Sequence, residues 1–98
     1  VEVILGDAQE VINELEGPYD LIFQDSAKSL YPLMLEKCVE LTRKKGLIVA
    51  DDTLFKPLGM PNNIGHHMHR YNKKVFSDSR LYSIILPIGD GVTVSLKL

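Results

Sequence analysis

Two stretches of this 98-residue chain run from apolar residues into carboxylates. In "YDLIFQDSAKS" (19–29), Leu21, Ile22 and Phe23 give way to Gln24 and Asp25, and Lys28 follows three residues on. In "GLIVADDTLF" (46–55), the run from Leu47 to Ala50 stops at Asp51 and Asp52. Acidic side chains on neighbouring strand ends repel one another unless a positive charge lies between them. A hard divalent cation with oxygen ligands, most simply Mg²⁺, meets that need, and Asp25, Asp51 and Asp52 could supply part of its shell. The cation would acidify a coordinated hydroxyl. Lys28 beside it could have its pKa lowered enough to act as a base. Together these parts would make an oxygen nucleophile. A lone aspartate at a strand end is as readily a helix cap or a turn residue, so the reading rests on the three carboxylates and the lysine as a set.

These residues need strands to carry them and helices to space them. "VEVIL" (1–5) is β-branched and apolar and predicts a strand. "AQEVINELE" (8–16) places Ala8, Val11, Ile12 and Leu15 on one helical stripe, which Gly17-Pro18 stops. "YDLIFQ" and "LIVAD" are short continuous apolar runs, expected of strands covered on both faces. Between them, residues 29–43 predict a helix: Ser29 caps it, and Leu30, Met34, Cys38 and Leu41 form its buried stripe. Arg43, Lys44 and Lys45 suit its negative end, and Gly46 closes it. Residues 53–63, rich in Gly, Pro and Asn, predict a surface loop. A helix over about 64–78 carries Ile64, Met68, Tyr71 and Val75 on one side. Strands 81–88 and 92–98 flank Gly89-Asp90-Gly91, a hairpin signal. The order β-α-β-α-β-loop-α-β-β predicts an α/β fold with a parallel sheet finished by an antiparallel hairpin. Ligands bind beyond the carboxyl ends of such strands, where Asp7, Asp25, Asp51 and Asp52 all lie.

Composition narrows the classes. At 45% hydrophobic and 24% charged residues the chain suits one small globular domain, burying roughly 65% of its unfolded surface. A net charge of −2 gives no case for bulk attraction to nucleic acid or anionic membrane. No apolar run approaches a membrane span and no signal peptide is visible. The single cysteine, Cys38, cannot form an internal disulfide, which suits a reducing, cytoplasmic location. The chain opens at Val1 already in strand pattern, as expected of part of a longer protein.

"GDAQEVINEL", "YDLIFQDSAKSLYP" and "GLIVADDTLF", in that order, resemble consecutive motifs of the cation-dependent, S-adenosylmethionine-dependent O-methyltransferases, the catechol and caffeoyl-CoA group and its bacterial relatives. "LPIGDGVTVSLKL" resembles the terminal hairpin of the bacterial members. The resemblance implies a Rossmann-like class I methyltransferase fold with strand order 3-2-1-4-5-7-6. It also implies transfer of a methyl group from S-adenosylmethionine to a catechol-like phenol or a tRNA hydroxyuridine, by a protein that is a homodimer at full length. By the same resemblance Asp25 and Asp51 are metal ligands and Lys28 is the general base. Asp52 stands where the family usually has a metal-binding asparagine. Asp7, Ala8 and Gln9 match the segment that contacts the adenine, and Asp25 lies among the cofactor contacts as well. The family's Gly-rich loop and the acidic residue ending its second strand have no counterpart here. The resemblance therefore makes residues 1–98 the carboxyl-terminal portion of one domain, beginning at its third strand. It implies that these residues alone neither bind the cofactor well nor catalyse.

Other features have plainer explanations. His66 and His69 in "HHMHRY" lack a Cys or acidic partner at metal spacing and read as solvated or substrate-facing residues. Cys38, on the apolar stripe, reads as a buried thiol. Arg70, Lys73 and Lys74 read as a solvated face rather than a surface for RNA or a CoA substrate. A phospho-acceptor receiver domain also gathers aspartates and a lysine around Mg²⁺, but there the acidic pair ends the first strand, whereas here Asp25 comes first. A non-catalytic fragment is the third alternative.

Overall fold

A computed structural model describes residues 1–55 and 62–98. Its elements are α1 (Ala8–Val11), a 3₁₀ turn (Ile12–Glu14), β1 (Tyr19–Gln24), α2 (Leu30–Leu41), β2 (Thr42–Asp51), α3 (Asn62–Ser77), β3 (Leu81–Leu86) and β4 (Val92–Lys97). The four strands form one sheet in the order β1-β2-β4-β3. β1 and β2 are parallel, and β4 runs antiparallel to both β2 and β3. That is the 4-5-7-6 portion of the order the resemblance implied, with the terminal hairpin inserted so that its second strand is central.

The alternation of strand side chains divides the sheet into two unlike faces. Ile48, Ala50, Thr93, Ser95 and Leu81 are buried on one face and share a core with Tyr31, Met34, Cys38 and Val39 of α2 and Met68, Tyr71 and Val75 of α3. The α3 stripe is the one its 3.6-residue period predicts. Each fully buried Met or Val there contributes roughly 1.5–3 kcal/mol. The opposite face follows from the register, which sets Leu21 beside Leu47, Leu47 beside Leu96, and Leu96 beside Tyr82. Phe23, Val49, Val94 and Ile84 form the next such row. Leu21, Phe23, Tyr82 and Ile84 are all exposed, Phe23 at 58%. The expectation that β1 and β2 are covered on both faces is therefore corrected. Among the described residues α2 and α3 pack on one side, and the apolar residues of the other side remain open.

Three further expectations change. "VEVIL" forms no strand among the described residues, and Val1, Val3, Ile4 and Leu5 are exposed. Its sequence is strand-like, but it has no paired neighbour; a groove lined by Glu2, Ile4, Val11, Leu15 and Tyr19 lies between it and the start of β1. The helix predicted over 8–16 is a single α turn capped by Asp7, tightened to 3₁₀ before Gly17. Helix α2 ends at Leu41 rather than running to 43, because its last carbonyls find other donors. The Thr42 hydroxyl donates to Cys38 O (2.7 Å), and Lys97 Nζ donates to Val39 O and Thr42 O (both 2.7 Å). Arg43, Lys44 and Lys45 thus belong to β2, where the register with β1 shifts. Gly46 sits inside that irregularity rather than at a helix end; a Cβ there would lie 2.9 Å from Asp20 O. Ser29 precedes α2 but makes no side-chain cap. Of the loop predicted at 53–63, residues 56–61 lie outside the described residues.

Candidate active site

The carboxyl ends of β1 and β2 are adjacent because the two strands are parallel and in register from Leu21–Leu47 to Gln24–Ala50. Asp25 follows β1 directly, Asp51 ends β2, and Asp52 follows it. Each of the three offers a carboxylate oxygen, and these oxygens lie within 4.8 Å of one another. Among the described residues this is the group of three acidic, His or Cys side chains close enough to share an ion. His66 and His69 do not join it. Asp52 turns the chain with φ +63°, a left-handed conformation that Asp and Asn adopt more readily than other non-glycine residues. An aspartate at the position where the resemblance implies an asparagine therefore suits the backbone. Its amide donates to Asp51 Oδ1 (2.8 Å), which ties the two acidic residues together.

Lys28 bridges two members of the cluster. Its Nζ is 2.7 Å from Asp52 Oδ2 and 3.2 Å from Asp25 Oδ1, and it donates to the Tyr31 hydroxyl (3.0 Å). The ammonium also stands 4.8 Å from the Tyr31 ring centre and 5.9 Å from that of Phe55, within cation–π range. Burial by itself would lower the Lys28 pKa, but the hydrogen bonds with Asp52, Tyr31 and Asp25 outweigh it and hold the group above its ordinary value. The expectation of a depressed lysine pKa is thus reversed in this arrangement. The ammonium serves as the counter-ion of the carboxylates, and both partners favour its charged form.

Tyr31 positions Lys28. It is fully buried, and its hydroxyl donates to Gln24 O (2.8 Å) while accepting from Lys28. Burial raises its pKa, against the opposing effect of Lys28. Its ring meets Tyr71 of α3 edge-on at 5.5 Å between centres. The base candidate is therefore fixed to the end of β1 by a side chain from the first turn of α2. From the sequence alone, lining the site and packing explain Tyr31 equally well. The available signal was its spacing, three residues after Lys28 and so on the same helical face.

Asp7, Ala8 and Gln9 are exposed at the start of α1, where Asp7 Oδ1 accepts from the Gln9 amide (2.8 Å). The Asp7 carboxylate is therefore a helix cap in this structure. The Gly89–Gly91 triplet is a hairpin turn in which the Gly91 amide donates to Ile88 O.

With this geometry in view, the comparison with known proteins is specific. Residues 1–98 match the family described as O-methyltransferase along their whole length. The chain belongs to that O-methyltransferase family. It is 31% identical over 98 residues to tapetum-specific methyltransferase 1 of Arabidopsis thaliana, covering 91% of this chain and 42% of that protein. Against the caffeoyl-CoA O-methyltransferase of Stellaria longipes it is 30% identical over 109 residues, covering 95% of this chain and 45% of the other. The SAH-bound methyltransferase PaMTH1 of Podospora anserina matches it with a TM-score of 0.87 at 26% identity, over 97% of this chain and 48% of that one. The chain spans about half the length of the curated relatives it matches.

Proposed function

We propose that the protein transfers a methyl group from S-adenosylmethionine to a substrate hydroxyl, with Asp25, Asp51 and Asp52 holding a divalent cation, most simply Mg²⁺. The observation that carries this is the clustering of three carboxylates at the carboxyl ends of β1 and β2, two of them paired with one lysine, in a chain of the O-methyltransferase family. The donor set suits the ion: hard oxygen ligands with the spread of one coordination shell. Bound there, the cation supplies charge that orients a hydroxyl and lowers its pKa.

Lys28 takes the substrate proton in this reading. It must first be neutral, and its hydrogen bonds with Asp52 and Asp25 oppose that. The base role therefore requires those carboxylates to be engaged elsewhere, as metal ligands are. Tyr31 keeps Nζ at the site while its partners change. The substrate oxygen would then attack the methyl group in line as its bond to the sulfonium sulfur breaks and leaves S-adenosylhomocysteine, with positioning and electrostatics supplying most of the rate. Asp7, Ala8 and Gln9 are assigned to the adenine, which asks the Asp7 carboxylate to share its capping role; Asp25 is assigned to the cofactor side as well.

Residues 1–98 are, on this reading, the carboxyl-terminal portion of one methyltransferase domain. Among the described residues, the open apolar face, the free edge of β1 and the unpaired segment 1–5 support it, since each is where the rest of a domain would pack. Relatives whose names state a substrate name caffeoyl-CoA, which favours a small phenolic acceptor over a tRNA hydroxyuridine. Homodimerisation of the whole protein and a cytoplasmic location belong to the same proposal. Family membership disfavours the receiver alternative.

Calorimetric titration tests the proposal. Mg²⁺ and S-adenosylmethionine are added, separately and together, to this chain and to a version extended upstream. The extended form should bind both, and Asp25→Ala should abolish Mg²⁺ binding. Strong S-adenosylmethionine binding and turnover by the 98 residues alone would overturn the partial-site reading. Mg²⁺ binding without S-adenosylmethionine binding in the extended form would overturn the methyltransferase reading.

A further inference from the structure

The chain just past the acidic pair is held from three directions. Thr53 follows Asp52 and is fully buried. Its amide donates to Gly91 O (3.2 Å) in the hairpin turn, and its carbonyl accepts from Asn72 Nδ2 (2.8 Å) on α3. Its hydroxyl lies 2.8 Å from that of Thr93 on β4. The Thr93 hydroxyl lies 2.8 Å from Asn72 Oδ1 as well. A hydroxyl has one proton, so Thr93 donates to Asn72 Oδ1 and accepts from Thr53. The Asn72 amide is then used in both senses, its nitrogen donating and its oxygen accepting. The next amide, Leu54, donates to Asp90 O (2.9 Å).

We propose that Asn72, acting through Thr53 and Thr93, is a positioning residue for the carboxylate cluster. Its hydrogen bonds go to these two residues, and it reaches the site only through the backbone. Asp52 occupies a left-handed conformation that relaxes readily once its neighbour is free. Clamping Thr53 at its amide, carbonyl and hydroxyl keeps the reversal at Asp52. That reversal keeps the Asp51 and Asp52 oxygens beside Asp25 and Lys28. α3 is thereby coupled to a site that it does not line with Asn72. The inference rests on the cation reading above and adds the residue that sets its geometry.

The probe is Mn²⁺ alone, titrated into the upstream-extended form and followed through the paramagnetic resonance of the free ion. Asn72→Asp keeps the shape but removes the donor to Thr53 O. It should weaken Mn²⁺ binding about fivefold or more, the worth of one hydrogen bond. Without metal, it should also speed hydrogen exchange of the Asp52 and Thr53 amides. Thr93→Val removes a single hydroxyl, should act in the same direction, and serves if Asn72→Asp fails to fold. Ser95→Ala is the control. It breaks a half-buried hydroxyl pair with Ser83 (2.7 Å) in the same sheet without touching the Thr53 clamp. It should lower stability in urea by a similar amount and leave Mn²⁺ affinity within about twofold. Wild-type affinity in Asn72→Asp and Thr93→Val would overturn the inference. So would an equal loss of affinity in Ser95→Ala, which would reduce the clamp to a stability effect. No Mn²⁺ uptake by the wild type would overturn the cation reading, and this inference with it.

Discussion

Replacing Lys28 with methionine keeps most of the aliphatic stem and removes the ammonium. In the structure that ammonium is 2.7 Å from Asp52 and 3.2 Å from Asp25, on oxygens a cation would use. An ion at ordinary oxygen-ligand distance from Asp52 stands about 5 Å from Nζ. The repulsion between charges of +1 and +2 at that separation is about 1.7 kcal/mol even at the dielectric constant of water. The water value is the appropriate floor, because the Asp25 side chain is 51% exposed. That energy is worth roughly 15-fold in affinity, and screening at physiological salt, with a Debye length of about 8 Å, trims it toward about fivefold. Lys28→Met should therefore bind Mg²⁺ about five times more tightly than the wild type at physiological salt, with a smaller ratio at high salt. Calorimetry at two ionic strengths reads this directly. In an upstream-extended form the same variant should lose methyl transfer by roughly a hundredfold or more, the usual worth of a general base. Tighter metal binding with lost turnover separates the counter-ion and base roles of one residue. Unchanged or weaker Mg²⁺ binding would refute the reasoning, because the ammonium and the cation would then not share Asp25 and Asp52.

Other consequences follow from the fold. Gly91 has φ +90°, and a Cβ there would lie 2.4 Å from Leu54 Cγ and 2.8 Å from Leu54 N. Gly91→Ala should cost roughly 2–3 kcal/mol in urea unfolding, whereas Gly89→Ala, with φ +55° and open space around it, should cost only about 1 kcal/mol. Burial pushes the Cys38 thiol up to about 11, so iodoacetamide at pH 8 should modify the folded chain roughly a hundredfold more slowly than the unfolded chain; equal rates would place Cys38 outside the core. Hydrogen bonds from Arg80 lower the carboxyl pKa values of Glu36 and Asp78, joining α2 to the turn before β3. Depressed carboxylates stabilise the fold above their ordinary pKa of about 4 and lose that contribution as pH falls through the lower folded values. The stability gap between wild type and Arg80→Met should thus be present at about pH 6 and close toward about pH 2 in thermal unfolding.

The site was more legible than the elements around it. Asp25, Asp51, Asp52 and Lys28 could be grouped because strand ends are marked by where an apolar run stops, and parallel strands bring like ends together. Met68, Tyr71 and Val75 could be placed on the buried side of α3 by their period alone. The end of α2 could not be read. Arg43-Lys44-Lys45-Gly46 looks like a helix terminus, and the donors that stop the helix earlier include Lys97, 55 residues from Thr42. The clamp on Thr53 was hidden for the same reason. Its one local trace is the alternation of "VTVSLKL", which puts Thr93 and Ser95 together on a face that proves to be buried.

By itself the sequence determined which residues could be strands, which helical stripes are apolar, and that acidic residues collect where strands end. These properties depend on neighbours one to four positions apart. Only the tertiary structure decided that Lys28 is the carboxylates' counter-ion with a raised pKa and that Tyr31 tethers it to Gln24. It also decided that Asn72 reaches Thr53 across 19 positions and that, among the described residues, one sheet face stays apolar and open. Charge state, hydrogen-bond partner and exposure depend on what lies within a few ångströms in space, and distant parts of the chain supply it.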